Sequence, residues 1–191
     1  MEKARNSAAW TEAGYDLFAE EGLEGLQVER LARILQLNKS GFYHYFGDLE
    51  GYCDELLKLH QYRVGLYCNK VREVKTIDPE YLHVLIEFKM PTLFQMQLGR
   101  IKNKPAFHAV EKWVDHEEDV AIKQLWCQYM DVTGNSDLAM RYFDIFRSMV
   151  YARIGFENFT FPYLSSLFEE AKTVMSQLSD QKAHEKDESL Y

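Results

Sequence analysis

Positive charge is in short supply. The chain of 191 residues holds 22 Lys and Arg against 30 Asp and Glu, a net charge of −8. That balance does not describe a protein coated in nucleic acid, although it leaves room for one local contact patch. Cysteine is scarce too. Cys53, Cys68 and Cys127 are odd in number, widely spaced and part of no CxxC or Cys/His cluster. This is not a disulfide scaffold or a zinc site; reduced thiols in a cytosolic protein are expected. Long apolar runs are missing: the longest uncharged stretch, about residues 158–168, falls far short of the roughly 20 residues that span a bilayer. The opening "MEKARNSAAW" lacks the apolar core of a signal peptide. A cytoplasmic protein, neither secreted nor in a membrane, is expected.

Catalytic signatures are absent as well. There is no Gly-rich phosphate loop, nucleophile elbow or paired-carboxylate arrangement. No enzyme and no cofactor are expected. "FHAVEKWVDHEED" sets His108, Glu111 and Asp115 at i, i+3 and i+7, with His116 adjacent. That is half a metal site with no further ligand, so it reads as a solvated face and no metal is expected.

What remains is helix. Trp10, Ala13, Gly14, Leu17 and Phe18 lie on one face of a first helix, which Gly22 stops. A short second helix runs from about Gln27 to Leu35, with Val28, Leu31, Ala32 and Leu35 on one side. Asn38 caps a third over "KSGFYHYF", Gly47 ends it, and Asp48 caps a long fourth from Leu49 to about Lys75. "DPE" (78–80) opens another helix, with Asp78 as cap and Pro79 in the first turn, and Pro91 kinks or ends it. Ala106–Asp131, Leu138 to about Phe159 (cap Ser136) and Pro162 to about Leu178 complete the set. There is no strand alternation or repeat, so the fold class is all-α. Three segments are expected: a helix-turn-helix domain over 1–48, a helical body over 49–178, and a loose charged tail over 179–191.

A helix, a short helix, a tight turn and a second short helix make a helix-turn-helix unit. The order and spacing of "LFAEEG", "VERLA" and "GFYHYF" within Ala13–Leu57 resemble the N-terminal domain of the tetracycline-repressor (TetR/AcrR) family. The resemblance covers about the first third of the chain. It implies a homodimeric transcriptional repressor that reads an inverted-repeat operator in double-stranded DNA and is released by a small molecule held in a helical body. It also implies a third helix in the major groove, with half-site centres about 34–36 Å apart. Carried onto this sequence, Asn38, Lys39, Ser40 and Gly41 open the recognition helix, and Tyr43 and His44 approach phosphates or base edges. Phe42 and Phe46 pack inward, and either role is open to Tyr45. Gln27, Val28 and Glu29 start the second helix, where the family often contacts DNA.

Four features depart from the family pattern. Gln36 stands where the turn usually has Gly, at a cost on the order of 1–2 kcal/mol in a left-handed conformation. Leu26, Gln27 and Val28 are poor caps for the second helix. Leu49 replaces a common Lys. Residues 1–60 hold six basic and eleven acidic side chains, a sum of −5. Helix amides at Lys39 and Ser40 can still receive a phosphate. The expectation is specific binding with weak non-specific affinity and a shallow salt slope. The competing expectation is a TetR-like helical dimer that has lost DNA binding and serves as a ligand- or protein-binding module.

Apart from Met1, every Met lies beyond residue 89, among frequent rings. Phe88, Phe94, Met96, Phe107, Trp113, Trp126 and Met130 are candidates for an apolar cavity that takes an apolar or aromatic ligand; each would also suit a plain core. Two stripes invite pairing with a second copy: Tyr142, Ile145, Phe146 and Met149, then Leu164, Leu167, Phe168, Ala171, Val174, Met175 and Leu178. The same faces could instead cover the chain's own core.

Overall fold

A computed structural model describes the backbone of residues 2–131 and 135–188, and the side chains of 6–131 and 135–177. Its regular structure is helical throughout, with no strand among the described residues. In chain order the helices are α1 (Glu2–Glu21), α2 (Val28–Leu35), α3 (Lys39–Phe46), α4 (Leu49–Glu73), α5 (Leu82–Glu87), α6 (Lys89–Arg100), α7 (Pro105–Tyr129), α8 (Ser136–Arg153) and α9 (Phe161–Glu188). The chain divides into two compact units: Met1–Lys70 with Phe88–Val120, and Val71–Glu87 with Ala121–Tyr191.

The first unit is built around α1. Trp10, Tyr15 and Phe18 on its inner face are essentially fully buried, together with Leu31, Phe42, Tyr52 and Phe94. Phe42 of α3 meets Trp10 edge-on, with ring centroids 5.4 Å apart, and Tyr52 of α4 at 4.9 Å. Gly14 lets Tyr52 come this close: a Cβ there would lie 1.7 Å from the Tyr52 hydroxyl. That hydroxyl donates to the Trp10 carbonyl at 2.5 Å.

A polar chain runs through the same interior. The Tyr15 hydroxyl lies 2.9 Å from His60 Nδ1, and His60 Nε2 lies 3.1 Å from Gln95 Oε1. Gln95 Nε2 donates to the Glu111 carbonyl and to Asp115 Oδ1. Its amide orientation therefore leaves Oε1 as an acceptor, so His60 carries its proton on Nε2 and accepts from Tyr15 at Nδ1. Four helices, α1, α4, α6 and α7, are tied by this chain. Burial holds the His60 pKa down at about 4, against an opposing contribution from the Gln95 hydrogen bond. Burial likewise pushes the Tyr15 phenol well up, so it remains a donor.

In the second unit, Trp126 of α7 is fully enclosed. Phe146 stacks on it and Phe143 meets it edge-on, both at 5.1 Å. Its indole nitrogen donates to the Ala139 carbonyl at 2.9 Å. Phe168 of α9 closes the cluster against Phe146 at 4.6 Å.

Several helix limits differ from the sequence expectation. The break before Pro91 falls at Phe88, because the ring would clash with the carbonyl four residues back, at Glu87, the last residue of α5. Pro91 then sits in the first turn of α6, where its missing N–H is not needed. Asn135, not Ser136, caps α8, accepting from the Leu138 amide at 3.1 Å. That helix stops at Arg153 rather than near Phe159. Asn158 folds back, accepting from the Gly155 amide at 2.6 Å and donating to the Arg153 carbonyl at 2.8 Å, which satisfies that orphan acceptor of the terminus. The backbone of α9 continues to Glu188 instead of ending near Leu178; no Gly or Pro interrupts it after Pro162. The side chains of Leu178 and of 179–191 lie outside the described residues.

Candidate nucleic-acid interface

The turn between α2 and α3 is a tight reversal centred on Gln36, which adopts φ 55° and ψ 36°. This is the left-handed conformation anticipated for the position. The Leu37 amide donates back to the Ala32 carbonyl at 3.0 Å, closing the end of α2. Asn38 is extended, and its side-chain oxygen accepts from the Ser40 amide at 3.0 Å. The recognition helix therefore starts with a satisfied cap. Gln27 makes no side-chain cap bond to α2, as its chemistry implies.

Phe42 is wholly buried and anchors α3, while Phe46 is half-buried against Tyr52. The opposite face is open. Tyr43 is 53% exposed, Lys39, Ser40 and His44 are exposed, and Gly41 and Tyr45 are half-buried. At the start of α2, Gln27 and Glu29 are exposed while Val28 turns into the core. The structure thus gathers one outward face from the exposed residues of both helices, and Val28 is the predicted site residue it directs elsewhere.

The electrostatics of this face are not those of a basic patch. Lys39 Nζ lies 3.0 Å from Glu29 Oε1. Its hydrogen bond holds the Glu29 carboxyl below the usual range. Arg30 makes a two-pronged contact with Glu21, one arm at 2.6 Å. Among the described residues of α2 and α3, Arg33 is the Lys or Arg side chain without a carboxylate partner. The Lys39–Glu29 pair joins residues ten apart on separate helices, and sequence reasoning missed it. Its signal was two opposite charges opening consecutive helices of a helix-turn-helix.

Residues 11–51 match the family described as bacterial regulatory proteins, tetR family. This is a tetR-family DNA-binding domain. The match begins within α1, takes in α2 and α3, and ends at the start of α4. No curated protein and no solved structure matches the chain. The match is confined to residues 11–51 and supports a DNA-binding transcriptional regulator.

The candidate ligand residues divide between the two units. Phe94 stacks on Tyr15 at 4.4 Å and on His60 at 4.4 Å, Phe107 packs against Phe18, and Met96 is buried in the first unit. Phe88 lies against Tyr67, and Trp113 is 37% exposed. Trp126 and Met130 are buried in the second unit. That unit also holds an open cleft of about 360 Å³. Ile77 and Leu125 supply its apolar surface, and Lys75, Gln128, Tyr129, Glu169 and Lys172 are among its polar residues. The Tyr129 hydroxyl donates to Glu169 at 3.3 Å, and the Lys172 ammonium stands 4.9 Å from the Tyr129 ring centroid.

Of the expected pairing stripes, Phe146, Leu164, Leu167, Phe168 and Ala171 are buried within the second unit. Ile145 is 65% exposed and Val174 43%, with Tyr142, Met149 and Met175 half-buried. Leu138, one heptad before Ile145, is 44% exposed. Among the described residues no helix is long and apolar enough to cross a membrane, and no three or more His, Cys, Asp or Glu side chains converge as a metal site.

Proposed function

We propose that the protein is a homodimeric, ligand-responsive repressor that reads an inverted-repeat operator. The single observation that carries the reading is the outward face of α2 and α3 on a tetR-family head, with a capped recognition helix and an exposed Tyr43, Ser40 and His44. Helix amides and hydroxyls supply the phosphate contacts that side-chain charge does not. Contact between copies runs through the exposed Leu138 and Ile145 of α8, flanked by Tyr142 and Met149, together with the exposed Val174 of α9. A C2 interface uses the same patch twice, so an inverted repeat is the matching DNA symmetry.

The effector occupies the cleft beside Tyr129. Its lining of two Lys, Glu169, Gln128 and Tyr129 over Ile77 and Leu125 suits a small molecule with polar or charged groups better than a purely apolar one. The buried rings of Phe94, Phe107 and Trp126 then serve as core. Selection from a randomised duplex pool at low salt, followed by sequencing, tests the reading. An enriched inverted repeat is the expected result. Absence of enrichment from folded, dimeric protein supports the alternative of a helical dimer without DNA binding, which the pairing of Arg30 and Lys39 with carboxylates favours.

A further inference from the structure

We propose that Glu29 is the specificity-determining residue of the DNA-binding face: it masks the recognition helix's Lys against phosphate on random sequence and is accommodated only where the duplex offers it a base amino group. The inference rests on the tetR-family reading of the head.

Lys39 is the only Lys or Arg of α3. Its ammonium is 3.0 Å from Glu29, and both side chains are largely exposed, 51% and 70%. An exposed pair of this kind is weak, and a phosphate can exchange for the carboxylate. The pair itself is therefore only part of the barrier. The consequence lies with the partner left behind. Once Lys39 turns to a phosphate, Glu29 is an uncompensated anion at a polyanion surface. Arg30 is not available to neutralise it, since its guanidinium is held by Glu21 through two contacts, and Arg33, one turn further along α2, makes no pair with Glu29 in this structure. Nor can it retreat inward, because α2 buries Val28, Leu31 and Ala32 on the other side of the helix.

The major groove offers one remedy. Cytosine N4 and adenine N6 present N–H donors there, whereas guanine shows only acceptors and thymine an acceptor and a methyl group. A carboxylate facing guanine O6 or thymine O4 meets a lone pair; facing cytosine N4 it accepts a hydrogen bond. Glu29 thus acts by exclusion. It penalises most sequences and spares those with an amino group at the facing position. That is specificity by a repulsive element, alongside whatever attraction Tyr43 and Ser40 supply.

The test uses the full-length chain and two variants. Glu29→Gln removes the charge; Glu29→Ala removes the acceptor as well. Circular dichroism and a melting curve establish that each is folded. Binding to a random-sequence duplex is followed by fluorescence anisotropy across a salt series. Glu29→Gln is expected to add one released counterion, steepening the slope by about 0.9, roughly eightfold in affinity at 0.1 M salt. In a Lys39→Gln background the same change is expected to gain less, since there is no cation to unmask. Sequencing of selected pools is expected to show a position confined to cytosine or adenine for the parent and relaxed for Glu29→Ala. Unchanged slopes and unchanged base preference in both variants overturn the proposal while leaving DNA binding intact. If the parent binds no duplex but Glu29→Gln does, the masking role is established. If neither binds any duplex, the proposal falls together with the DNA-binding reading.

Discussion

The Tyr15 hydroxyl donates to His60 Nδ1 across 2.9 Å, joining the first helix of the DNA-binding head to α4 inside a fully buried interior. Because His60 is fully buried and its pKa is held at about 4, it is neutral in the folded chain at neutral pH. The unfolded chain takes up that proton near pH 6.5. The contribution of neutral His60 is therefore complete above the unfolded pKa. It is lost as pH falls from about 6.5 towards 4, and the slope ends below the folded value. The expected loss at pH 5 relative to pH 8 is about 2 kcal/mol. Urea denaturation at the two pH values measures it. A His60→Gln variant should show a smaller pH difference, although its absolute stability is lower.

Gln36 carries the left-handed turn at φ 55°. Gly pays no steric cost there but loses more chain entropy on folding. Gln36→Gly should raise stability by about 0.5–1 kcal/mol, seen as a higher denaturation midpoint at constant m-value. A lower midpoint would show that the Gln side chain contributes something the backbone argument omits.

Removing the cap of the recognition helix should cost about 1 kcal/mol, through Asn38→Ala and the loss of the 3.0 Å bond to the Ser40 amide. The same change frays the first turn of α3, which carries Lys39 and Ser40. Duplex affinity should therefore fall more than the melting temperature alone implies. Equal binding by the variant would separate this turn from DNA contact.

Trp126 is enclosed by Phe143, Phe146 and Phe168, and its indole nitrogen is satisfied by Ala139. Trp126→Ala should destabilise by about 3–5 kcal/mol, with a cavity left among the rings. Guanidinium unfolding gives the value.

Ile145→Glu places a charge on the most exposed apolar residue of the α8 ridge. Sedimentation velocity should show a shift from dimer to monomer with little change in far-ultraviolet dichroism. A persistent dimer would move the interface to another face.

Local chemistry made the head legible from sequence. Asn38, Gln36, Gly22 and Gly47 each act where a cap or a positive φ was needed, so α1 to α3 follow from residues a few positions apart. The body was less legible. Met and aromatic residues read alike whether they line a cavity or fill a core, and only burial distinguishes Trp126 from Trp113. The α8 and α9 stripes mixed two faces for the same reason: Phe146 and Ile145 are neighbours in sequence but point to core and solvent. The Lys39–Glu29 pair and the His60 chain were hidden because each joins residues from different helices.

Gly14 and Tyr52 have a consequence for how such a chain can change over generations. A methyl at position 14 would overlap not only the Tyr52 hydroxyl but also its ring carbons, at 1.7, 2.5 and 3.0 Å. Trimming Tyr52 to Phe does not relieve that overlap. A ring-less residue at 52 relieves it, yet gives up the bond to the Trp10 carbonyl and the edge contacts with Phe42 and Phe46. Neither position has an easy first step away from the present pair. A change at either position is expected to require a compensating change at the other.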